Sequence, residues 1–120
     1  MKIISWNVRG LGNPQTFLAI KKILHLHRPQ LIFLCETKLS SKQVNNVCRK
    51  LGIENCLVVD SKGKSGSLAM LWSLEITVQI TSYSNHHINA EIQNANGRSW
   101  RCTGIYGHPE AKKRSIPRLY

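Results

Sequence analysis

The 120-residue sequence lacks several features that would place it in a class at once. It has no apolar run long enough to cross a bilayer and no signal-peptide pattern, which argues against a membrane or secreted protein. Its four cysteines include no C-x-x-C pair. Reduced thiols in a nuclear or cytoplasmic protein are therefore expected, rather than zinc ligands or disulfides. There is no internal repeat or low-complexity linker, and the length suits one domain.

Acidic residues are also scarce. Six Asp and Glu residues face 17 Lys and Arg residues, which gives a formal net charge of +11. A surface this basic attracts polyanions, and DNA or another nucleic acid is the usual partner. Charge alone leaves two plainer explanations open, namely that the excess only solvates the protein or that it offsets an acidic half outside this sequence. The composition therefore favours a nucleic-acid partner over a membrane without deciding between binding and catalysis.

The first part of the sequence predicts a strand–helix–strand unit. Apolar runs indicate buried strands over Lys2–Asn7 and Leu31–Cys35. Between them, Asn13 is suited to cap a helix and Pro14 to its first position, and apolar residues follow at helical spacing to about His27. A unit of this length is normally parallel and right-handed. Both strands should therefore end at the same edge of one sheet.

Two polar residues, Asn7 and Glu36, stand at those strand ends. Taken singly, Asn7 suits a turn and Glu36 suits a solvated strand end. Taken together, they bring an amide and a carboxylate to the edge where open α/β sheets place their ligands. Mg²⁺ takes oxygen ligands and often only one or two protein carboxylates, so a site for this cation is predicted here.

The remainder of the sequence predicts one more helix and then short strands. A capping box from Ser40 to Gln43 begins the helix, and Gly52 ends it. Residues 1–109 are expected to form the domain, and residues 110–120 a basic, loosely ordered tail. The predicted strands and turns are Cys56–Val59, a turn at Ser61–Gly66, Ser67–Trp72, Ile76–Ser82, His87–Gln93, a hairpin turn at Asn96-Gly97, and Ser99–Tyr106.

Four segments carry a resemblance to a known family: Ile4–Gly12, Leu31–Lys38, Ser67–Trp72 and Thr103–Pro109. In these segments the sequence resembles the endonuclease/exonuclease/phosphatase superfamily, which has the deoxyribonuclease I-like fold. More narrowly, it resembles the N-terminal endonuclease domain of plant LINE-type non-LTR retrotransposons. The resemblance implies an α/β fold, specifically the incomplete N-terminal half of a four-layer α/β/β/α sandwich. Such a half should leave a wide apolar sheet face uncovered.

The resemblance also implies roles for individual residues. Glu36 matches the principal metal ligand of the family, for which Mg²⁺ is the expected ion. Asn7 matches the asparagine that helps to hold the metal and the scissile phosphate, and Tyr106 matches the tyrosine that contacts the phosphate, so both are candidate catalytic residues. Basic residues near these positions and in the glycine-rich turn are expected to contact nucleic acid: Arg9, Lys38, Lys62 and Lys64.

Three departures from the family pattern stand out. Arg9 replaces the aspartate of apurinic endonucleases, as is usual in the plant LINE version, and Ser67 stands where a second glycine is common. The downstream Gly-Asp-Phe-Asn and Ser-Asp-His motifs do not occur before Tyr120. Attack of water on a phosphodiester needs a base, usually a histidine oriented by an aspartate. The one aspartate, Asp60, suggests no such pair.

These observations predict part of a Mg²⁺-dependent DNA endonuclease domain derived from a retrotransposon. The 120-residue chain is expected to be inactive, with weak or absent Mg²⁺ binding, because most of the octahedral shell would be left to water. Two alternatives stay open: a non-catalytic basic remnant that binds nucleic acid, and a non-functional gene-model fragment. A phosphatase of the same superfamily is disfavoured by the plant-LINE character of the first two segments.

Overall fold

The structure, a computed structural model, describes residues 2–60 and 67–106. Within these residues the chain forms two helices and seven strands. In chain order they are β1 (Ile3–Asn7), α1 (Pro14–His27), β2 (Leu31–Cys35), α2 (Ser41–Leu51), β3 (Asn55–Val59), β4 (Leu68–Trp72), β5 (Ile76–Tyr83), β6 (His87–Asn94) and β7 (Ser99–Ile105). The predicted turn at 61–66, with Lys62 and Lys64, and the predicted tail at 110–120 lie outside the described residues.

The strands form two sheets. The first has the order β1-β2-β4-β3, and the second has the order β5-β6-β7. β1 and β2 are parallel with Asn7 opposite Cys35, which confirms the strand–helix–strand prediction. The neighbours of β4 are both antiparallel to it, so β3 runs in the same direction as β2. The carboxyl ends of β1, β2 and β3 therefore lie at one edge of the first sheet.

Both helices begin at the residues that the sequence predicts. Asn13 caps α1 by accepting a hydrogen bond from the Gln15 amide at 2.8 Å. Ser40 and Gln43 form the capping box of α2, and Gly52 ends this helix with a φ of 79°. These caps satisfy amide and carbonyl groups that a helix end leaves without an intrahelical partner. They set where each connection enters and leaves the first sheet.

The first sheet is covered on both faces. All five residues of β2 are buried. Alternate residues point to opposite faces of a strand. Leu31, Phe33 and Cys35 pack against the second sheet, whereas Ile32 and Leu34 belong to the core under the helices. The described layers are therefore helices, first sheet and second sheet.

The expectation of a wide uncovered apolar face is wrong for the described part of the chain. Strands β5 to β7 supply the cover, through Ile76, Ile88, Ala90, Ile92 and Cys102. The large hydrophobic side chains that remain exposed in residues 2–60 and 67–106 are scattered over α1, the β4–β5 connection and the second sheet: Leu18, Leu26, Leu74, Tyr83 and Ile105. Scattered exposed residues of this kind are normal for folded domains.

The two sheets are in tight contact where Gly104 of β7 meets the ring of Phe33. A Cβ atom added at Gly104 would lie 2.5 Å from Cε1 of Phe33, which real contacts do not allow. The predicted β6–β7 hairpin is confirmed, with Gly97 at a φ of 81° in its turn. This hairpin brings Gly104, and after it Tyr106, over the first sheet.

Strand boundaries differ from the predictions by one residue at several ends. β1 begins at Ile3 rather than Lys2, and β4 begins at Leu68 rather than Ser67. β5 extends to Tyr83 rather than Ser82, and its register with β6 shifts at a bulge between Ile80 and Ser82. Among residues 2–60 and 67–106, no helix is long and apolar enough to cross a membrane.

Candidate functional site

The candidate site lies at the edge where β1 and β2 end. Backbone pairing continues past both strands into the loops that follow them. The Gly10 amide donates to the Glu36 carbonyl at 2.8 Å, and the Leu11 amide donates to the Thr37 carbonyl at 2.8 Å. Because these bonds hold the two loops together, the side chains that leave the loops are held in a defined arrangement.

The backbone at this edge is strained. Three residues other than glycine have a positive φ here: Arg9 at 49°, Glu36 at 54° and Lys38 at 57°. A left-handed conformation costs a residue with a Cβ atom roughly 1–2 kcal/mol. Such residues persist only where the surrounding structure over-determines them, and they cluster at functional sites. The local pattern thus marks this edge as a candidate site independently of any motif.

Asn7 and Glu36 are in contact. Nδ2 of Asn7 donates a hydrogen bond to Oε2 of Glu36 at 2.6 Å, and both side chains are half-buried. Oδ1 of Asn7 is buried and has no hydrogen-bond partner among the described residues. Leaving a buried acceptor unpaired costs about 1–3 kcal/mol. A cation held by this oxygen and the adjacent carboxylate would remove that cost.

The residues present therefore fit a hard divalent cation. They offer an amide oxygen and a carboxylate, the ligand types that Mg²⁺ prefers. No group of three or more His, Cys, Asp or Glu residues that could hold a metal occurs in residues 2–60 and 67–106. From these residues, Asn7 and Glu36 are the ligands that the site offers to a cation.

Tyr106 brings the second sheet to the site. Its amide donates to the His86 carbonyl at 2.7 Å, and its side chain packs against the core between the sheets. Burial raises the pKa of the Tyr106 hydroxyl, and the hydrogen bond and charge of Glu36 raise it further, whereas the charge of Arg9 lowers it. At neutral pH the hydroxyl therefore stays protonated and can donate a hydrogen bond.

The predicted basic contacts divide into two groups. Arg9 and Lys38 are exposed and follow β1 and β2, so both flank the Asn7–Glu36 pair. Lys62 and Lys64 fall outside the described residues. The structure thus brings together Asn7, Glu36 and Tyr106, with Arg9 close enough to influence the tyrosine.

Sequence reasoning missed the buried hydroxyl pair of Thr37 and Ser67. Oγ1 of Thr37 is hydrogen-bonded to Oγ of Ser67, and the Thr37 amide donates to the Ser67 carbonyl at 3.1 Å. Ser67 also donates to the Leu39 carbonyl at 3.2 Å. These bonds tie the loop after Glu36 to the start of β4. In the sequence, Ser67 is notable only because it stands where a second glycine is common in the family. The feature that could have indicated the hydroxyl pair is a serine at the start of a buried strand.

Asp60 and His87 are engaged elsewhere. Asp60 accepts a hydrogen bond from Oγ of Ser41 at 2.7 Å, at the start of α2. The ring of His87 is hydrogen-bonded to Ser84 at 2.6 Å through Nδ1 and lies 3.3 Å from Oγ of Ser82 through Nε2. Neither contact brings a general base to the Asn7–Glu36 pair.

The chain matches a known protein family and is similar to several solved structures. Residues 4–118 match the endonuclease/exonuclease/phosphatase family. No curated protein matches the chain. Among solved structures, the chain is similar to a 3′ phosphatase, NExo (D146N), from Neisseria bound to a product DNA hairpin, with 16% identity and a TM-score of 0.61. It is also similar to the AP endonuclease LMAP from Leishmania major, with 15% identity and a TM-score of 0.57.

A third similar structure is TDP2 from D. rerio, humanized by 14 mutations, with 21% identity and a TM-score of 0.55. The aligned parts cover 94%, 92% and 82% of this chain for NExo, LMAP and TDP2 respectively. They cover 46%, 42% and 46% of those proteins, so the chain spans less than half the length of each. At these identities the likeness shows the fold, an α/β sandwich of the deoxyribonuclease I-like type.

Proposed function

The chain belongs to the endonuclease/exonuclease/phosphatase family, and from this premise we propose that it is part of a Mg²⁺-dependent DNA endonuclease, a phosphodiesterase. We infer a plant LINE-type retrotransposon origin from the residues of the first two motifs. The observation that carries the proposal is the contact between Asn7 and Glu36, with Oδ1 of Asn7 buried and without a hydrogen-bond partner among the described residues. The DNA-bound and nuclease structures with the same fold support DNA as the substrate.

Each residue of the site has a proposed task. Glu36 and Oδ1 of Asn7 would hold Mg²⁺, while Nδ2 of Asn7 orients the carboxylate. When bound, the cation supplies electrostatic stabilisation of charge on the phosphate oxygens. The protonated Tyr106 hydroxyl would donate a hydrogen bond to a phosphate oxygen, and the exposed Arg9 would attract the phosphate. Tyr106 and Asn7 are thus the proposed catalytic residues.

We also propose that the 120-residue chain binds Mg²⁺ weakly and nicks DNA poorly. One carboxylate leaves most of the coordination shell to water, and Mg²⁺ loses its water reluctantly. The positive charges of Arg9 and Lys38 oppose a divalent cation further. Asp60 is bonded to Ser41 and His87 to two serines, so neither is placed as a base at the site.

Mg²⁺ titration followed by NMR tests the site. Shifts should appear at the amides after β1 and β2, and Glu36→Gln should abolish them. Asp60→Asn is the matched control, since it removes a carboxylate at the same sheet edge that bonds Ser41 instead of Asn7. Unchanged Mg²⁺ affinity in the Glu36→Gln protein would contradict the site. Efficient nicking of supercoiled plasmid, abolished by Glu36→Ala, would contradict the proposed low activity while supporting the endonuclease.

A second candidate function is non-catalytic nucleic-acid binding, which the net charge of +11 favours. Counterion release should make DNA affinity fall steeply as salt rises. We propose Arg9, Lys38, Lys62 and Lys64 as phosphate contacts, each of which should lower the salt slope when replaced by alanine. Fluorescence anisotropy with a labelled duplex measures this slope. An affinity that does not change between low and moderate salt would contradict electrostatic binding.

The proposed division into a domain at 1–109 and a basic tail at 110–120 has its own test. The tail has four basic residues: Lys112, Lys113, Arg114 and Arg118. A chain of residues 1–109 should unfold at the same urea concentration as the full chain but bind DNA with a smaller salt slope. A large loss of stability would show that the tail is part of the domain.

A further inference from the structure

Two cysteines far from the candidate site share one cleft. Cys48 of α2 and Cys56 of β3 line a cleft of about 570 Å³, together with Asn45, Arg49 and Glu54 as polar or charged neighbours. Cys56 is opposite Leu71, which in turn is opposite Ile32 near the amino end of β2. The cleft therefore lies toward the opposite end of the first sheet from Glu36.

The two thiols differ in exposure and in bonding. Cys48 is 3% exposed, whereas Cys56 is half-buried. Sγ of Cys56 is hydrogen-bonded to Oδ1 of Asn45 at 3.0 Å. A hydrogen bond between the two thiols lowers the pKa of Cys56 and raises that of Cys48, to which burial also contributes. Both cysteines are free in this structure. Cys56 is thus the more accessible of the two thiols.

The other two cysteines are enclosed in the core between the sheets. Cys35 and Cys102 are both 0% exposed and belong to the cluster around Phe33. Burial, with a smaller contribution from the charge of Glu36, raises the pKa of Cys35 to about 12. Because the thiolate is the reactive form of cysteine, Cys35 should be inert in the folded protein.

We propose that Cys48 and Cys56 are a redox-modification site, in which Cys56 reacts with a low-molecular-weight disulfide and Cys48 completes an intramolecular disulfide. An accessible thiol beside a resolving cysteine is the arrangement that favours reversible oxidation. The cleft gives the small disulfide access to Cys56. The product would join helix α2 covalently to strand β3 of the first sheet.

The reaction proceeds in two thiol–disulfide exchanges. With oxidised glutathione, the Cys56 thiolate attacks one sulfur, the glutathione disulfide bond breaks, and one glutathione thiolate leaves. Cys48 then loses its proton and attacks Sγ of Cys56, and the second glutathione thiolate leaves. The two protons lost by the cysteines end on the two released glutathione molecules. The protein thus loses two electrons, and glutathione disulfide gains them.

Intact mass and peptide mapping test the proposal on the full 120-residue chain. Reduced protein is incubated with oxidised glutathione, the remaining thiols are alkylated, and the protein is digested. The expected product has lost two hydrogens and contains one cross-linked peptide joining Cys48 to Cys56, while Cys35 and Cys102 are alkylated only after unfolding. Dithiothreitol should restore all four thiols.

Single variants separate the two roles. Cys48→Ala should accumulate a glutathione adduct on Cys56, because no resolving thiol remains. Cys56→Ser should give little adduct, because Cys48 is enclosed. Cys102→Ser is the matched control and should leave the Cys48–Cys56 cross-link unchanged. Circular dichroism of each reduced variant checks that it is folded.

Two results would overturn the proposal. One is a wild-type protein that keeps four reduced thiols at a glutathione potential that oxidises ordinary dithiols. The other is a cross-link that includes Cys35 or Cys102 in the folded protein. Since wild-type mapping alone decides both, the conclusion does not depend on whether a variant folds.

Discussion

The two sheets differ in how they are covered, and their sequences differ accordingly. β2 is apolar throughout because helices cover one of its faces and the second sheet covers the other. β6 alternates: Ile88, Ala90 and Ile92 are buried, whereas Glu91 and Gln93 are exposed. A continuous apolar run therefore indicates burial on two faces, and alternation indicates burial on one. The first sheet depends on its neighbours for both of its covers.

The candidate site combines residues from both sheets. Asn7 and Glu36 follow strands of the first sheet, whereas Tyr106 follows a strand of the second. The site is therefore complete only while the sheets are docked. Substitutions between the sheets should disturb both stability and the site, whereas substitutions in one layer should affect mainly that layer.

The largest expected effect comes from removing Phe33, a large and fully enclosed side chain in the core between the sheets. Phe33→Ala should lower the free energy of unfolding by roughly 3–5 kcal/mol, because a fully enclosed ring leaves a cavity. Urea unfolding followed by circular dichroism measures this. Phe17→Ala is the matched control, since Phe17 is only half-buried on α1 and should cost less. Equal losses of stability in both variants would contradict the conclusion that Phe33 contributes more to the fold than Phe17.

A methyl group added at the same contact should also destabilise the protein, by about 1–3 kcal/mol. In Gly104→Ala the new Cβ meets the Phe33 ring, so the sheets must separate or the ring must move. Gly12→Ala is the control, because its new Cβ would meet only Leu39 at an ordinary 3.4 Å. Adding Phe33→Leu to Gly104→Ala should recover part of the loss. Additive losses in the double variant would argue against direct contact.

Much of this architecture could be predicted from local pattern. Both helix starts follow from capping residues, since Asn13 and Ser40 bond the first amides directly. The parallel pairing that brings Asn7 to Glu36 follows from the helix that connects β1 to β2. Family membership is confirmed over residues 4–118. The proposed metal and phosphate roles of these residues remain predictions.

Other features required the three-dimensional arrangement. β4 enters between β2 and β3, an order that no periodicity encodes. The need for glycine at position 104 comes from Phe33, which lies far away in sequence. The cover of the first sheet by β5 to β7 was not predicted either. The alternating pattern of these strands indicates that one face is buried, but it does not indicate which element packs against that face. Long-range packing, rather than local preference, decided each of these features.

A smaller effect should distinguish glycine substitutions at the strained edge of the first sheet from those in the helices that cover it. Lys38→Gly should raise the free energy of unfolding by about 1 kcal/mol, because glycine adopts a φ of 57° without strain. Lys22→Gly removes the same side chain from the interior of α1 and should lower stability by about 1 kcal/mol. Urea midpoints of the two variants should therefore move in opposite directions. A shift of the same sign in both would contradict strain at Lys38.

The smallest effect is a change in the titration of Tyr106, which reports whether the two sheets meet at the site. Its pKa is raised above the ordinary 10.0 by burial and then by Glu36, and lowered by Arg9. Glu36→Gln should therefore lower this pKa while burial keeps it above 10.0, and Arg9→Gln should raise it. The ultraviolet absorbance of tyrosinate measures both shifts, with Tyr106→Phe identifying the signal.

The same titration has a defined effect on stability. Because the folded state holds the Tyr106 proton more tightly than the unfolded state, this contribution is fully present below pH 10.0 and is lost as the pH rises through the raised value. Tyr106→Phe should make the alkaline loss of stability shallower in urea unfolding. The two variants could instead shift the Tyr106 pKa in the same direction, or leave it unchanged. Either result would mean that the tyrosine of the second sheet does not contact the carboxylate of the first. Opposite shifts would place the three groups together in solution, as a shared phosphate site requires.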